Sequence, residues 1–319
     1  MSRWGLNPGG AGLLLLPVFW GCAGPATAPD FRLQREEWRP AAGVSGVRLR
    51  TDHYDIRVTS ADDLLCDYLP AFMETCHAAY RRAMPCERDG GPPLDIYVFR
   101  DRPQWAAFTR AFVPAQAHVY LHIQSGGYMD APSATAVLWD IGRDKTLSLM
   151  AHEGWHQYVA RNCPAPLPPW LDEGMATQWE AFDLDGDVPV FTPRRNLLRR
   201  NSLREALILE NGLIPLPELL RMNAGEAVMR TGQTVRGYYA QVWSMVLMLR
   251  EERPYRDAFA RLLADAGAGR TAAVVSAWKA ASPEAAGMSP GEILFGRYIT
   301  GDLEGFAAEY RDFARSLVH

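Results

Sequence analysis

Two histidines four residues apart, with a glutamate beside the first, are the residues of this chain best suited to chemistry: His152-Glu153-Gly154-Trp155-His156, an HExxH pattern. On a helix, residues i and i+4 are about 40° apart around the axis and about 6 Å apart along it, so both imidazoles project from one face toward a common point. Imidazole nitrogens are zinc ligands, and an adjacent carboxylate can take a proton from a water activated there. The pattern therefore predicts that His152 and His156 bind Zn2+ and that Glu153 is the general base. Two core or capped histidines would need nothing further. A catalytic zinc needs a third protein ligand and a fourth position left open.

A third histidine six residues beyond the second is ruled out, because Asn162 stands there and Val159 replaces the glycine of that pattern. The other solution is a carboxylate on the next helix. Glu173 lies in Trp170-Leu-Asp-Glu-Gly-Met-Ala176, after a connector holding Pro164, Pro166, Pro168 and Pro169, with 16 residues between it and His156. That length suffices to end one helix, turn, and lay a second beside it. An acid near a helix N-terminus is favoured by the macrodipole in any case. Asp172 competes as ligand or serves as partner to a ligand imidazole; Glu173 is preferred because Asp172 is displaced about 100° around the helix.

These two blocks together resemble the gluzincin group of metallopeptidases, the thermolysin and aminopeptidase relatives, and most closely the bacterial peptidase MA-like proteins, in which W-x-x-E-G-x-A follows HExxH. The likeness covers most of the mature chain as an order of elements, although the linker to Glu173 is shorter than in thermolysin and no aminopeptidase-type Gly-x-Met-Glu-Asn segment precedes the helix. It implies a thermolysin-like zincin of α+β class, acting on a peptide or protein substrate through His152, His156 and Glu173, with Glu153 as base. It also implies an oxyanion donor on a later helix. Tyr239, in Gly237-Tyr-Tyr-Ala-Gln-Val-Trp243, matches that position, and Tyr238 is its alternative.

Positioning elements can be read around these residues. An α/β lobe with a small mixed sheet is expected over 46–142 and a mainly helical catalytic lobe over 143–319, with the HExxH helix between them. Strands are predicted over 47–58, Leu94–Phe99, Ala117–Ile123 and Ala136–Trp139, and helices over 61–84 and from Asp101 through Phe112. Asp144 is the expected cap of the HExxH helix. His118 and His122, four apart on the third of these strands, would lie roughly 13 Å apart and share no metal. Gly126-Gly127-Tyr128 suggests an edge strand able to pair with an extended peptide, or simply a turn. Beyond Asn196 the pattern is helical, with Val242–Leu249 buried, while Arg194 to Arg200 reads as a solvated helix face.

The first 22 residues, with an apolar run from Leu13 to Trp20, resemble a secretory signal, and Gly21-Cys22 a lipoprotein cleavage site; simple cleavage near Ala28 is the alternative. Export to a bacterial envelope or beyond is expected, by lipid anchor or secretion, with 23–45 as a tether. Leaving Cys22 aside, Cys66, Cys76, Cys86 and Cys163 permit up to two disulfides of unreadable pairing. The net charge of -4 and the lack of a dense basic run give no nucleic-acid surface, and no transmembrane helix is expected in the mature chain. Two other functions fit the motif: a noncatalytic envelope scaffold that keeps the fold, and a zinc hydrolase of a non-peptide amide.

Overall fold

A computed structural model describes residues 28–319 apart from 42, 89, 210, 211, 224 and 227–231, and only the backbone of 232–234. The signal segment and Cys22 lie outside the described residues. The fold is mixed α+β. Six strands, β1 (Gln34–Ala41), β2 (Val44–Arg50), β3 (Tyr54–Val58), β4 (Leu94–Phe99), β5 (Gly127–Asp130) and β6 (Thr135–Trp139), form one sheet in the order β1-β2-β3-β4-β6-β5. The central strands β3, β4 and β6 are parallel, while β1, β2 and β5 run antiparallel to their neighbours.

Parallel strands are covered on both faces, and the side-chain period of two sorts each strand between two cores. Leu94, Ile96 and Val98 of β4 and Ala136 and Leu138 of β6 join the main core, which also holds α1 (Asp63–Ala83) and α4 (Arg143–Asn162). On the other face, Phe99, Val137 and Trp139 pack with Trp105 of α2 (Arg102–Phe112). Each fully buried Leu, Val or Phe contributes about 1.5–3 kcal/mol, so this alternation also fixes the register that places α4.

Two expectations fail here. The segment expected to be a tether carries β1, which pairs with β2 over Gln34↔Arg50 to Trp38↔Gly46. Its residues are almost all exposed and are held by backbone pairing, by Arg48–Glu36 at 2.8 Å, and by Trp38 against Tyr97 and Phe99. The strand expected over Ala117–Ile123 is a helical turn, α3 (Ala117–Tyr120), with Leu121 N–H donating to the Ala117 carbonyl at 2.9 Å. The alternating apolar residues have no strand to join, because β5 already occupies the edge of β6. His122 Nδ1 accordingly contacts the His118 carbonyl at 2.8 Å, one helical turn back rather than along a strand.

After α4 come α5 (Pro169–Ala176), a 3-10 turn over Thr177–Trp179, and a hairpin of β7 (Phe182–Asp185) and β8 (Val188–Phe191). Helices α6 (Leu197–Ile208), α7 (Leu216–Leu219), α8 (Gly232–Glu251), α9 (Arg253–Gly267), α10 (Arg270–Ala281), α11 (Pro290–Tyr298) and α12 (Leu303–Val318) complete the chain. α8 is the axis of this lobe: residues Val242 to Leu249 are all buried, and α5, α6, α9 and α12 pack against it. Among the described residues, no helix is long and apolar enough to cross a membrane.

Candidate metal centre

α4 carries His152, Glu153 and His156 on a stretch buried from Met150 to Val159. The helix begins after Gly142, whose φ of 97° takes it out of helical space; Asp144 stands in the first turn and does not cap it. At that end Arg143 pairs with Asp62, the N-cap of α1, at 2.7 and 3.0 Å. Tyr80 of α1 donates to the Ala151 carbonyl at 2.6 Å, and Gln157 donates to the carbonyls of Asp95 and Ala134 at 2.9 and 2.8 Å. The histidines are thus carried on a helix fixed to both α1 and the sheet.

The proline connector turns the chain so that α5 lies beside α4. Glu173 then meets the two imidazoles. His152 Nε2 and His156 Nε2 are 3.2 Å apart, and Glu173 Oε2 lies 3.3 Å from the first and 3.5 Å from the second. Ligands about 2.0–2.1 Å from a tetrahedral zinc are about 3.3 Å from one another, so the triangle has the size such an ion requires. Among the described residues, His152, His156 and Glu173 are the one group of three able to hold a metal ion.

The outer imidazole nitrogens are engaged by carboxylates. His152 Nδ1 contacts Glu180 Oε1 at 2.9 Å, and His156 Nδ1 contacts Asp172 Oδ1 at 3.1 Å, an oxygen that also accepts from Trp155 Nε1 at 2.9 Å. A carboxylate accepts, so each Nδ1 carries its proton and each Nε2 turns a lone pair inward. Two lone pairs facing at 3.2 Å, with Glu173 Oε2 buried beside them and making no hydrogen bond, demand a cation between them, either protons or a metal. These residues fit a divalent ion. Asp172 thus meets the outer nitrogen of His156, while Glu173 faces the inner nitrogens of both histidines.

Behind Glu180 stands a buried cation. Arg199 donates to both of its oxygens, at 2.5 and 2.8 Å, and Asn196 Nδ2 donates to Oε2 at 2.8 Å. Burial opposes the charge on Glu180, but Arg199 and His152 outweigh it and hold the carboxyl at about 2. The basic stretch expected to be a solvated face is therefore divided: Arg194 and Arg195 are exposed, whereas Arg199 is turned inward. Its guanidinium also lies 4.8 Å over the ring of Tyr239.

Electrostatics follow from four buried or half-buried carboxylates, Glu153, Asp172, Glu173 and Glu180, around two imidazoles. Burial lowers the basicity of His152, yet the neighbouring Glu173 and Glu180 carboxylates raise its pKa to about 9 in the metal-free chain. His156 moves in the same direction, with Asp172 and Glu173 overcoming burial. Burial would raise Glu173, but the two histidines hold it well below the usual carboxylate range. Glu153 is shifted the other way: burial pushes its pKa up, against the pull of both histidines.

Tyr239 of α8 stands with its ring 6.2 Å from that of His152, and burial, then Glu173, raise its hydroxyl far above the ordinary phenol value. Tyr238 is fully buried and donates to the Met222 carbonyl at 3.4 Å. Tyr120 stacks on Tyr128 at 3.8 Å, and burial, Asp130 and Glu153 together raise its pKa. Tyr120 of α3, stacked on Tyr128 of β5, thus lies within electrostatic reach of Glu153.

Sequence reading missed Glu180, Asn196 and Arg199. Glu180 lies seven residues past Glu173, beyond the helix, and reaches His152 through tertiary structure alone. The Asp185-Gly186 turn between two alternating apolar runs is a signal from which the β7–β8 hairpin that follows it could have been found. The chain matches no protein-family model, no curated protein and no solved structure, so the functional reading rests on this geometry.

Proposed function

We propose that the protein is a zinc-dependent peptidase of gluzincin type with a thermolysin-like arrangement, exported to the cell envelope or beyond. The observation that carries the reading is the triangle of His152 Nε2, His156 Nε2 and Glu173 Oε2, with sides of 3.2–3.5 Å and both outer imidazole nitrogens held by carboxylates. These three residues would hold the ion. A bound zinc would supply Lewis acidity and bring the pKa of water toward neutrality.

The chain's own residues supply the remaining chemistry. Glu153, one residue from a ligand and raised in pKa by burial, takes the proton of the attacking water and delivers it to the leaving amine. Tyr239, kept protonated by burial, donates a hydrogen bond to the oxygen on which charge develops. The β5 edge, open on the side away from β6, offers backbone hydrogen bonds to an extended peptide.

Two variants test this reading. Purified parent protein should contain one equivalent of zinc and His152→Ala essentially none. Glu153→Gln should keep its zinc while peptide hydrolysis falls by roughly 100- to 10,000-fold. Equal hydrolysis by Glu153→Gln and parent would instead favour a scaffold that retains the fold. Hydrolysis of simple amides but of no peptide would transfer the same residues to a non-peptide substrate.

A further inference from the structure

Two thiols meet at the far end of the HExxH helix. Cys163 ends α4, its N–H donating to the Val159 carbonyl at 2.9 Å, and Cys86 follows α1 in the segment leading to β4. Their Sγ atoms are 3.3 Å apart, although 77 residues separate them in sequence. Both are half-buried, so a small oxidant can reach them, whereas Cys66 and Cys76 are buried. The latter two sit ten residues apart on α1, about 15 Å along the helix, well past the Cα separation of about 7 Å that a disulfide tolerates. Only one of the two permitted bridges has its sulfurs in contact among the described residues.

We propose that Cys86 and Cys163 form a disulfide that fastens the segment after α1 to the C-terminus of the HExxH helix. With the two sulfurs 3.3 Å apart, whichever thiol reacts first leaves the other beside its sulfur. The first thiolate attacks one sulfur of a small-molecule disulfide such as oxidised glutathione, releasing one thiol and leaving a mixed disulfide. The other thiolate then displaces the second thiol and closes the bond. Two protein thiols are oxidised, and the reagent's disulfide is reduced to two thiols. Export would expose the chain to oxidants of this class. The bridge stands whether or not the metal centre is catalytic.

Its position gives it a structural consequence. α1 and α4 pack along their lengths, with Tyr158 donating to the Met84 carbonyl at 2.8 Å, and the bridge would secure their C-terminal ends at that same place. Closing so long a loop restricts the unfolded chain, and reduction should lower Tm by on the order of 5–10 °C.

The full chain is equilibrated with oxidised glutathione, alkylated, and digested with trypsin without reduction. Mass spectrometry should find peptide 83–88 joined to peptide 162–194, lighter than their sum by two hydrogens. Reductant should abolish the species, and Cys66 and Cys76 should be alkylated only on unfolding. Cys86→Ser should match the reduced parent in Tm and show no response to reductant. Should that variant fail to fold, comparing the parent before and after reduction decides alone. Alkylation of both Cys86 and Cys163 in the oxidised folded parent, or a bridge from either to another cysteine, would overturn the proposal.

Discussion

His152 and His156 lie within a ring of acidic groups, and that arrangement sets how a metal competes with protons. In the metal-free chain His152 titrates near 9, because Glu173 and Glu180 outweigh the effect of burial. Below that pH the imidazole holds a proton that an entering cation must displace. The pKa is raised, so affinity strengthens as pH rises toward 9 and weakens as it falls. Between pH 6 and 8, apparent zinc Kd should drop about tenfold per pH unit for each proton released, measured by competition with a chromophoric chelator. A pH-independent Kd would contradict this account of the histidines.

Glu180 tests the residues behind the ligands. It fixes the His152 tautomer and is itself held by Arg199 and Asn196. Replacing it with Gln keeps the shape but removes the charge. Zinc affinity should fall 10- to 100-fold, the usual effect of losing such a partner, while circular dichroism stays native. The pairing of His152 with His156 was legible in sequence because a four-residue helical spacing is local information. Glu180 was not, since its link to His152 spans 28 residues and depends on how α5 and the 3-10 turn lie against α4.

At the scale of elements, close approach of helices holds the ligands together. A Cβ on Gly174 would stand 2.4 Å from Val246 Cγ2 and 3.0 Å from the Val242 carbonyl oxygen, so α5 packs on α8 as closely as backbone allows. Gly174→Ala must displace α5 and, with it, Glu173. Thermal melts should register a loss of about 1–3 kcal/mol, with zinc affinity reduced in step. A Cβ on Gly154 would meet the ends of Met73 and Tyr80, both at 2.9 Å. The Met73 methyl can move aside, so Gly154→Ala should be the milder change unless the Tyr80–Ala151 hydrogen bond is broken. Periodicity predicted α1, α2, α4, α5 and α8, whose buried faces follow the helical repeat. It misjudged 34–41 and 117–123 for opposite reasons. The first carries charge yet is held by pairing to β2, and the second alternates like a strand but finds its place in the sheet filled.

Across the molecule a layered sheet region adjoins a mainly helical one, and the candidate metal centre draws on both. α4 packs directly on β6 and β5 and beside α1, while α5 packs on α8, so the two histidines and Glu173 belong to different supports. The mixed α+β class could be read from sequence, since the apolar period changes from two to 3.6 along the chain. α11, started by its own Ser289–Glu292 capping box, was not, because its nine residues carry too short a pattern. The proposed function requires this junction to hold zinc on three named atoms. Anomalous diffraction at the zinc edge from crystals of the protein locates any such ion. A single strong peak is expected about 2.0–2.2 Å from His152 Nε2, His156 Nε2 and Glu173 Oε2. No peak there in zinc-replete crystals, or one bound by other residues, would contradict it.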